Sequence, residues 1–214
     1  MEHRLMNRLF AEFLGTFFLC TVALASRDML AAACTLAIMT WSLGYLAAGN
    51  FNPAVTVALW LRGKMGKTEM LHCFSAQFSG ALAGYAAFRV LGGAPVPGAG
   101  LPEQLADATA SPPMGMVPFI FGEFLFTFLL ASTVLHVTTA RQLAGNGFFG
   151  AAIGLCLYAG SRCVYGLAAF NPALGLGLVL AGLAPFWYLL IYFVAGAAAG
   201  ATAATVHRLL NPND

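Results

Sequence analysis

The amino-acid sequence predicts an all-α membrane protein in which six transmembrane helices and two re-entrant half-helices form an inverted repeat. The first observation is the composition: 60% of the 214 residues are hydrophobic and only 8% are charged, against about 25% charged residues in a soluble domain. The second is a set of six apolar stretches long enough to cross a bilayer. The third is a tripeptide that occurs twice, as Asn52-Pro53-Ala54 and as Asn171-Pro172-Ala173.

The six apolar stretches are distributed along the whole chain. They lie near Leu5–Ala25, Leu30–Ala48, Met70–Leu91, Val117–Val137, Phe148–Val164 and Pro185–Leu209. Small residues such as Gly80, Gly84 and Gly196 occur within them, and such residues let membrane helices approach closely. We therefore expect a single transmembrane domain over residues 1–214, with a first repeat at about 5–91, an external loop at about 92–116 and a second repeat at about 117–209.

Each copy of the tripeptide predicts the start of a short helix. Asn is among the best N-cap residues, and Pro is favoured at the first helical position, where its missing N–H costs nothing. A short apolar run follows each copy, over Val55–Leu61 and Leu174–Leu180, and ends near a glycine. A run of this length is too short to cross a bilayer, which needs about 20 residues. Short helices that begin inside a membrane protein are typical of transport sites.

The two halves of the chain repeat each other. The segment Ala11–Phe17 in the first span is similar to Gly122–Phe128 in the fourth, and both contain a glutamate, Glu12 and Glu123. Each unit therefore consists of two spans, a half-helix and a third span. Because three spans per unit is an odd number, the second unit is inserted in the opposite orientation to the first. Paired broken helices in such an inverted repeat mark a transport site near the membrane midplane.

The distribution of Lys and Arg predicts the orientation in the membrane. The connection after the first half-helix contains Arg62, Lys64 and Lys67, whereas the longest connection, residues 92–116, has acidic residues and no Lys or Arg. By the positive-inside rule the basic connection is cytoplasmic and the long loop is external. We therefore expect a multi-pass protein of the cell membrane, embedded in the lipid bilayer, with both termini in the cytoplasm.

The predicted arrangement suits passive conduction of small neutral solutes. Two half-helix N-termini, each with about half a positive charge, meet at the midplane together with Asn52 and Asn171. Such a centre favours neutral hydrogen-bond acceptors such as water or a polyol and opposes cations, including hydronium. The net charge of +2 and the lack of a basic stripe argue against nucleic-acid binding. The five cysteines have no metal-ligand spacing, and no metal or other cofactor is predicted.

Glu12 and Glu123 are carboxylates within the predicted membrane region, where such groups are costly and usually functional. One interpretation is that each accepts N–H groups from the non-helical backbone before a half-helix and so anchors that loop. The other is a proton relay. We favour anchoring, because neither has a His or Asp neighbour in sequence to continue a relay. Gln77 in the third span either bonds the same backbone or is an ordinary core amide.

These motifs resemble the major intrinsic protein family, the aquaporins and glycerol facilitators. The resemblance covers nearly the whole chain and is carried by the segments 11–16, 49–56, 122–124 and 170–173. It implies an aquaporin-like fold with one pore per subunit, a homotetramer, and water or small neutral solutes as the permeants. The permeants that it makes plausible include glycerol-like polyols, urea and undissociated metalloid acids.

The sequence departs from the family pattern at the selectivity constriction. The family usually has Arg after the second tripeptide, whereas this chain has Leu174. By the same resemblance, the other constriction positions are Ala32, Ser161 (or Gly160) and Ala168. This set is small and mostly apolar, which predicts a wider and less polar outer constriction than in water-selective members. Arg162 either turns into the mouth in place of the missing cation or lies at the lipid headgroups.

Two other classes of function are weighed against a channel. A membrane-embedded enzyme needs a nucleophile–base pair or a metal cluster near the midplane, and four scattered His with eight acidic residues do not supply one. We therefore expect no enzymatic activity. A non-conducting structural or adhesive protein of the same fold remains the alternative, in which the missing arginine reflects a lost transport function.

Overall fold

A computed structural model describes residues 2–47, 50–94, 112, 114–164 and 167–213. Most of the predicted loop at 92–116 and Gly49, within a segment that carries the family resemblance, lie outside the described residues. The described part is helical and contains no strand. Its α-helices are α1 Glu2–Ser26, α2 Met29–Ala47, α3 Pro53–Leu61, α4 Lys67–Val90, α5 Met116–Thr139, α6 Phe149–Cys163, α7 Pro172–Leu180 and α8 Tyr188–Leu210. A 3₁₀ turn, Arg141–Leu143, follows α5.

The predicted order of six long helices and two half-helices is confirmed. Four of the long helices, α1, α2, α5 and α8, are long and apolar enough to cross a membrane by length and composition. The other two fall short of that test for different reasons. Helix α4 has 24 residues but carries several polar and charged side chains, and α6 has 15 residues, about 22 Å at 1.5 Å per residue. Both nevertheless pack in the bundle as spanning helices do: α4 packs against α1, and α6 packs against α2.

The last helix begins three residues later than predicted. Pro185, Phe186 and Trp187 form a tight turn before Tyr188, with a hydrogen bond of 3.0 Å from the Tyr188 N–H to the Pro185 carbonyl. Bonds over three residues are typical of 3₁₀ geometry, which often precedes an α-helix. The apolar pattern alone does not distinguish this turn from the helix that follows it.

The packing of the helices has the pseudo-twofold symmetry expected of an inverted repeat. Helix α1 packs against α4 as α5 packs against α8, and α2 packs against α6, its own counterpart. The half-helices exchange partners: α3 packs against α8 of the second repeat, and α7 packs against α4 of the first. The two repeats are therefore interlocked rather than stacked side by side.

Both half-helices end in the same way. Gly63 and Gly182 have φ angles of +82° and +70°, a left-handed conformation that glycine adopts without steric cost. Lys64 and Leu183 then donate to the carbonyls of Leu59 and Leu178 at 2.9 and 2.8 Å. This is a Schellman motif, which satisfies the last carbonyls of a helix. The glycines after the two apolar runs thus stop both half-helices at nine residues.

Close contact between α3 and α8 depends on Gly200. A Cβ atom built at Gly200 would lie 2.3 Å from the backbone oxygen of Ala54, in the first turn of α3. We expect Gly200→Val to displace α3 and to cost about 1–3 kcal/mol as an overpacking substitution. The apparent Tm in detergent should fall by roughly 2–12 °C, at about 2–4 °C per kcal/mol for a chain of this size. Gly66→Ala is the matched control, because nothing lies within 4 Å of a Cβ there. An equal Tm for the two variants would contradict this account of the contact.

Candidate functional site

Both half-helices are capped by the asparagine that precedes them. The Asn52 Oδ1 accepts from the Ala54 N–H at 2.9 Å. The Asn171 Oδ1 accepts from the N–H groups of Ala173 at 2.9 Å and Leu174 at 3.3 Å. Pro53 and Pro172 occupy the first helical positions. The side-chain oxygens of both asparagines are thus used within their own tripeptides.

The two tripeptides are joined to each other by reciprocal hydrogen bonds. The Asn52 Nδ2 donates to the carbonyl of Phe170 at 2.8 Å, and the Asn171 Nδ2 donates to the carbonyl of Phe51 at 2.9 Å. The tips of α3 and α7 therefore meet, with both asparagines buried. An asparagine amide has two N–H donors, so each keeps a second hydrogen that these bonds do not use. The sequence did not reveal this exchange, since the bonded residues are more than a hundred positions apart.

The residues before the asparagines have an unusual backbone conformation. Phe51 and Phe170 have φ angles of +47° and +50°, which is uncommon for a bulky residue and persists only when the surroundings hold it. Each phenylalanine receives an Asn donor at its carbonyl, as described above. Each also donates its own N–H to a buried glutamate, at 2.8 Å to Glu12 Oε2 and at 3.0 Å to Glu123 Oε2. Both main-chain polar groups of each strained residue are thereby fixed.

The two glutamates make different sets of bonds. Glu123 uses both oxygens for backbone donors, because its Oε1 accepts from the Ala169 N–H at 2.7 Å. Glu12 uses only Oε2, which accepts from Phe51 and from the Gln77 Nε2 at 2.7 Å. Its Oε1 is buried and has no hydrogen-bond partner among the described residues. The internal repeat is thus chemically asymmetric at these two positions.

Gln77 bonds side chains and not the backbone that leads into α3. Its Nε2 donates to Glu12 and also to the Thr56 Oγ1 at 2.8 Å. The Thr56 hydroxyl donates in turn to the Asn52 carbonyl at 3.0 Å. Gln77 thus links α1, α3 and α4 in one buried network, and the possibility that it bonds the loop backbone directly is not realised.

A narrow cavity lies where the half-helices meet. Its volume is about 10 Å³, the space for the centre of roughly one water molecule. None of the residues around it carries a charge. The polar lining consists of Asn50, Asn52 and Asn171, and the apolar lining of Leu19, Leu36, Val55, Leu130, Val134, Ile153, Leu157, Ala169 and Leu174. The cavity therefore has mostly apolar walls, with carboxamides as its polar groups.

The four constriction residues suggested by the resemblance do not all line this cavity. Leu174 does so, and it is buried. Ala32 and Ala168 are also buried but are not part of the lining. Ser161 is partly buried, and its hydroxyl donates to the Tyr158 carbonyl at 2.7 Å within α6. Gly160, the alternative to Ser161, is buried, and a Cβ there would lie 2.9 Å from Phe126.

Arg162 is exposed near the end of α6. It does not line the cavity, and both interpretations of Arg162 stay predictions. Among the described residues, the cavity that Leu174 lines has no charged side chain.

Known proteins share both the sequence pattern and the fold. Residues 2–207 match the family described as "Major intrinsic protein". "Glycerol uptake facilitator protein-like 6" from Lactiplantibacillus plantarum is 30% identical over 222 residues, covering 98% of this chain and 100% of that protein. "Aquaporin Z" from Brucella melitensis is 26% identical over 218 residues, covering 92% of this chain and 96% of that protein. The solved structure of the aquaglyceroporin from Plasmodium falciparum is similar in fold, with a TM-score of 0.71 at 17% sequence identity. The match covers 97% of this chain and 98% of that chain.

Proposed function

This chain belongs to the major intrinsic protein family, and from that premise we propose that it forms a passive pore for small neutral polyols and water that excludes protons and ions. The observation that carries the proposal is the pair of reciprocal bonds between Asn52 and Asn171 and the opposite loops. These bonds hold two carboxamides at the wall of one narrow cavity. A passive pore needs no further chemistry than a fixed, uncharged and narrow passage.

Exclusion of cations follows from the direction of the half-helices. The N-termini of α3 and α7 both point to the cavity, and each carries about half a positive charge. Asn52 and Asn171 use their oxygens as caps, and each presents its second N–H as a donor to a permeant. A water or hydroxyl oxygen that accepts there is oriented with its hydrogens away from the centre. This orientation interrupts a chain of waters along which a proton would otherwise move.

The preference for polyols rests on Leu174 and on the lining of the cavity. An apolar side chain at this position leaves the mouth free of a fixed cation and of its strongly bound water. Apolar walls beside a few carboxamides suit the amphipathic shape of glycerol, whose carbon chain has one less polar face. The relative from Lactiplantibacillus plantarum is named as a glycerol uptake facilitator-like protein, which supports the same class of permeant.

Further parts of the proposal concern assembly and position. We propose that Glu12 and Glu123 anchor the loops that precede the half-helices, because they accept backbone N–H groups there. Basic residues such as Arg62, Lys64 and Lys67 favour the cytoplasmic side for the turn after α3, and hence for both termini in the cell membrane. A homotetramer is the expected assembly, and each subunit has its own cavity.

The proposal is tested with purified protein in liposomes. Stopped-flow light scattering measures volume changes in gradients of glycerol, urea, arsenite and an impermeant osmolyte, and an internal pH dye measures proton entry. We expect glycerol and water to enter much faster than in protein-free liposomes. Protons should enter at the same rate with and without the protein. Equal solute and water rates with and without protein would overturn the proposal and favour a structural or adhesive role. Faster proton entry would overturn the exclusion of protons.

A further inference from the structure

Asn50 is a third asparagine at the cavity, two residues before Asn52. It lies outside both tripeptides, and its side chain is 2% exposed. It lines the cavity together with Asn52 and Asn171. Neither its Oδ1 nor its Nδ2 has a hydrogen-bond partner among the described residues. This differs from the other two asparagines, whose oxygens cap helices and whose amides bind opposite carbonyls.

A buried carboxamide without a partner is costly, and native proteins satisfy such groups with protein atoms or ordered water. Apart from Asn52 and Asn171, the cavity beside Asn50 is walled by apolar side chains, among them Leu36, Val134 and Ile153. These side chains cannot donate or accept. The partner that satisfies Asn50 is therefore whatever occupies the cavity.

We infer that Asn50 is a solute-binding residue that determines the preference for polyols over water. This inference rests on the proposed function and deepens it. Both the NH₂ and the oxygen of the Asn50 carboxamide are unused by the described residues, whereas the oxygens of Asn52 and Asn171 cap helices and one N–H of each binds an opposite carbonyl. A hydroxyl group both donates and accepts, so it can donate to the Asn50 Oδ1 or accept from the Asn50 Nδ2.

Asn50 lowers the permeation barrier more for a polyol than for water. A water molecule in single file keeps hydrogen bonds to the waters before and behind it. Glycerol loses most of its hydration when it passes between apolar walls, and each of its hydroxyls then depends on the polar groups of the wall. Removal of one carboxamide therefore raises the barrier for glycerol and leaves that for water nearly unchanged.

The test compares the glycerol and water permeabilities of Asn50→Leu in liposomes with those of the wild type. Leucine has nearly the same shape as asparagine and cannot form hydrogen bonds. We expect glycerol permeability to fall about tenfold, as for the loss of one or two net hydrogen bonds, and water permeability to change less than about twofold. Asn50→Thr keeps one hydroxyl, so its glycerol-to-water ratio should lie between those of the wild type and Asn50→Leu.

Thr40→Val is the matched control. Thr40 is fully buried, its hydroxyl has no partner in the described part of the chain, and it does not line the cavity. This substitution also removes an unpartnered polar group at constant shape, and we expect both permeabilities to stay at the wild-type values. If Asn50→Leu does not yield folded protein, the ratio for Asn50→Thr decides the test.

The outcomes separate this inference from the proposed function. A wild-type protein that conducts neither glycerol nor water overturns the proposed function itself. A conducting wild type with an unchanged glycerol-to-water ratio in both Asn50 variants overturns the role of Asn50 alone. A parallel fall of both permeabilities identifies a structural role and likewise overturns solute binding, whereas a selective fall for glycerol supports it.

Discussion

Leu174→Arg is expected to lower glycerol permeability by roughly a hundredfold, equivalent to about 2.7 kcal/mol on the barrier, while water permeability survives. Leu174 is buried at the wall of the cavity, in the first turn of α7. An arginine there is longer than leucine and permanently charged, and it has five N–H donors. It narrows the passage and binds water strongly. A solute that needs more width than one water molecule is therefore obstructed first.

The measurement is the same liposome assay with glycerol and water side by side. Leu174→Met is the matched control, since it conserves volume and apolar character and should change neither permeability by more than about twofold. If Leu174→Arg changes neither permeability, Leu174 is not at the constriction. An equal loss of both would indicate a blocked or misfolded pore and would contradict selective narrowing.

Local sequence signals were sufficient to predict the half-helices. Asparagine followed by proline specifies a helix start through one side-chain oxygen and one missing N–H, and these properties belong to the residues themselves. Gly63 and Gly182 similarly specify the ends, because only glycine adopts a left-handed conformation without cost. Glu12 and Glu123 could be singled out because an intramembrane carboxylate is rarely neutral to function.

Apart from the local turn before α8, the features that the sequence did not predict depend on contacts between distant segments. The carbonyls that receive the Asn52 and Asn171 amides belong to the opposite repeat. Phe51 and Phe170 have positive φ angles, which a phenylalanine does not favour by itself, and their carbonyls accept the bonds of that exchange. The cavity position of Asn50 is likewise invisible in sequence, where it is one more polar residue before a motif.

The asymmetry of the two glutamates leads to opposite expectations for one and the same substitution. Glutamine has one acceptor oxygen and one donor NH₂. In Glu123→Gln it can satisfy only one of the N–H groups of Ala169 and Phe170, and its own NH₂ faces the other donor. A buried donor left without a partner costs about 1–3 kcal/mol. The strained backbone at Phe170 then loses one of its restraints, so the Asn52–Phe170 bond is weakened as well.

In Glu12→Gln the glutamine oxygen can take the place of Oε2 and accept from both Phe51 and Gln77. Its NH₂ then occupies the place of Oε1, which has no hydrogen-bond partner within 3.5 Å among the described residues, and the Asn50 backbone N–H interacts with this carboxyl group only weakly. We therefore expect Glu12→Gln to retain glycerol permeability within about twofold. In Glu123→Gln, glycerol permeability should fall more than about tenfold and the apparent Tm should be lower, because an unpartnered buried donor costs about 1–3 kcal/mol. Liposome flux and thermal unfolding in detergent, measured on both variants in parallel, test this. Equal effects of the two substitutions would refute the assignment of different bonding to the two carboxylates. If only Glu12→Gln lost glycerol permeability, the assignment would be reversed, and the more critical anchor would be the one before α3.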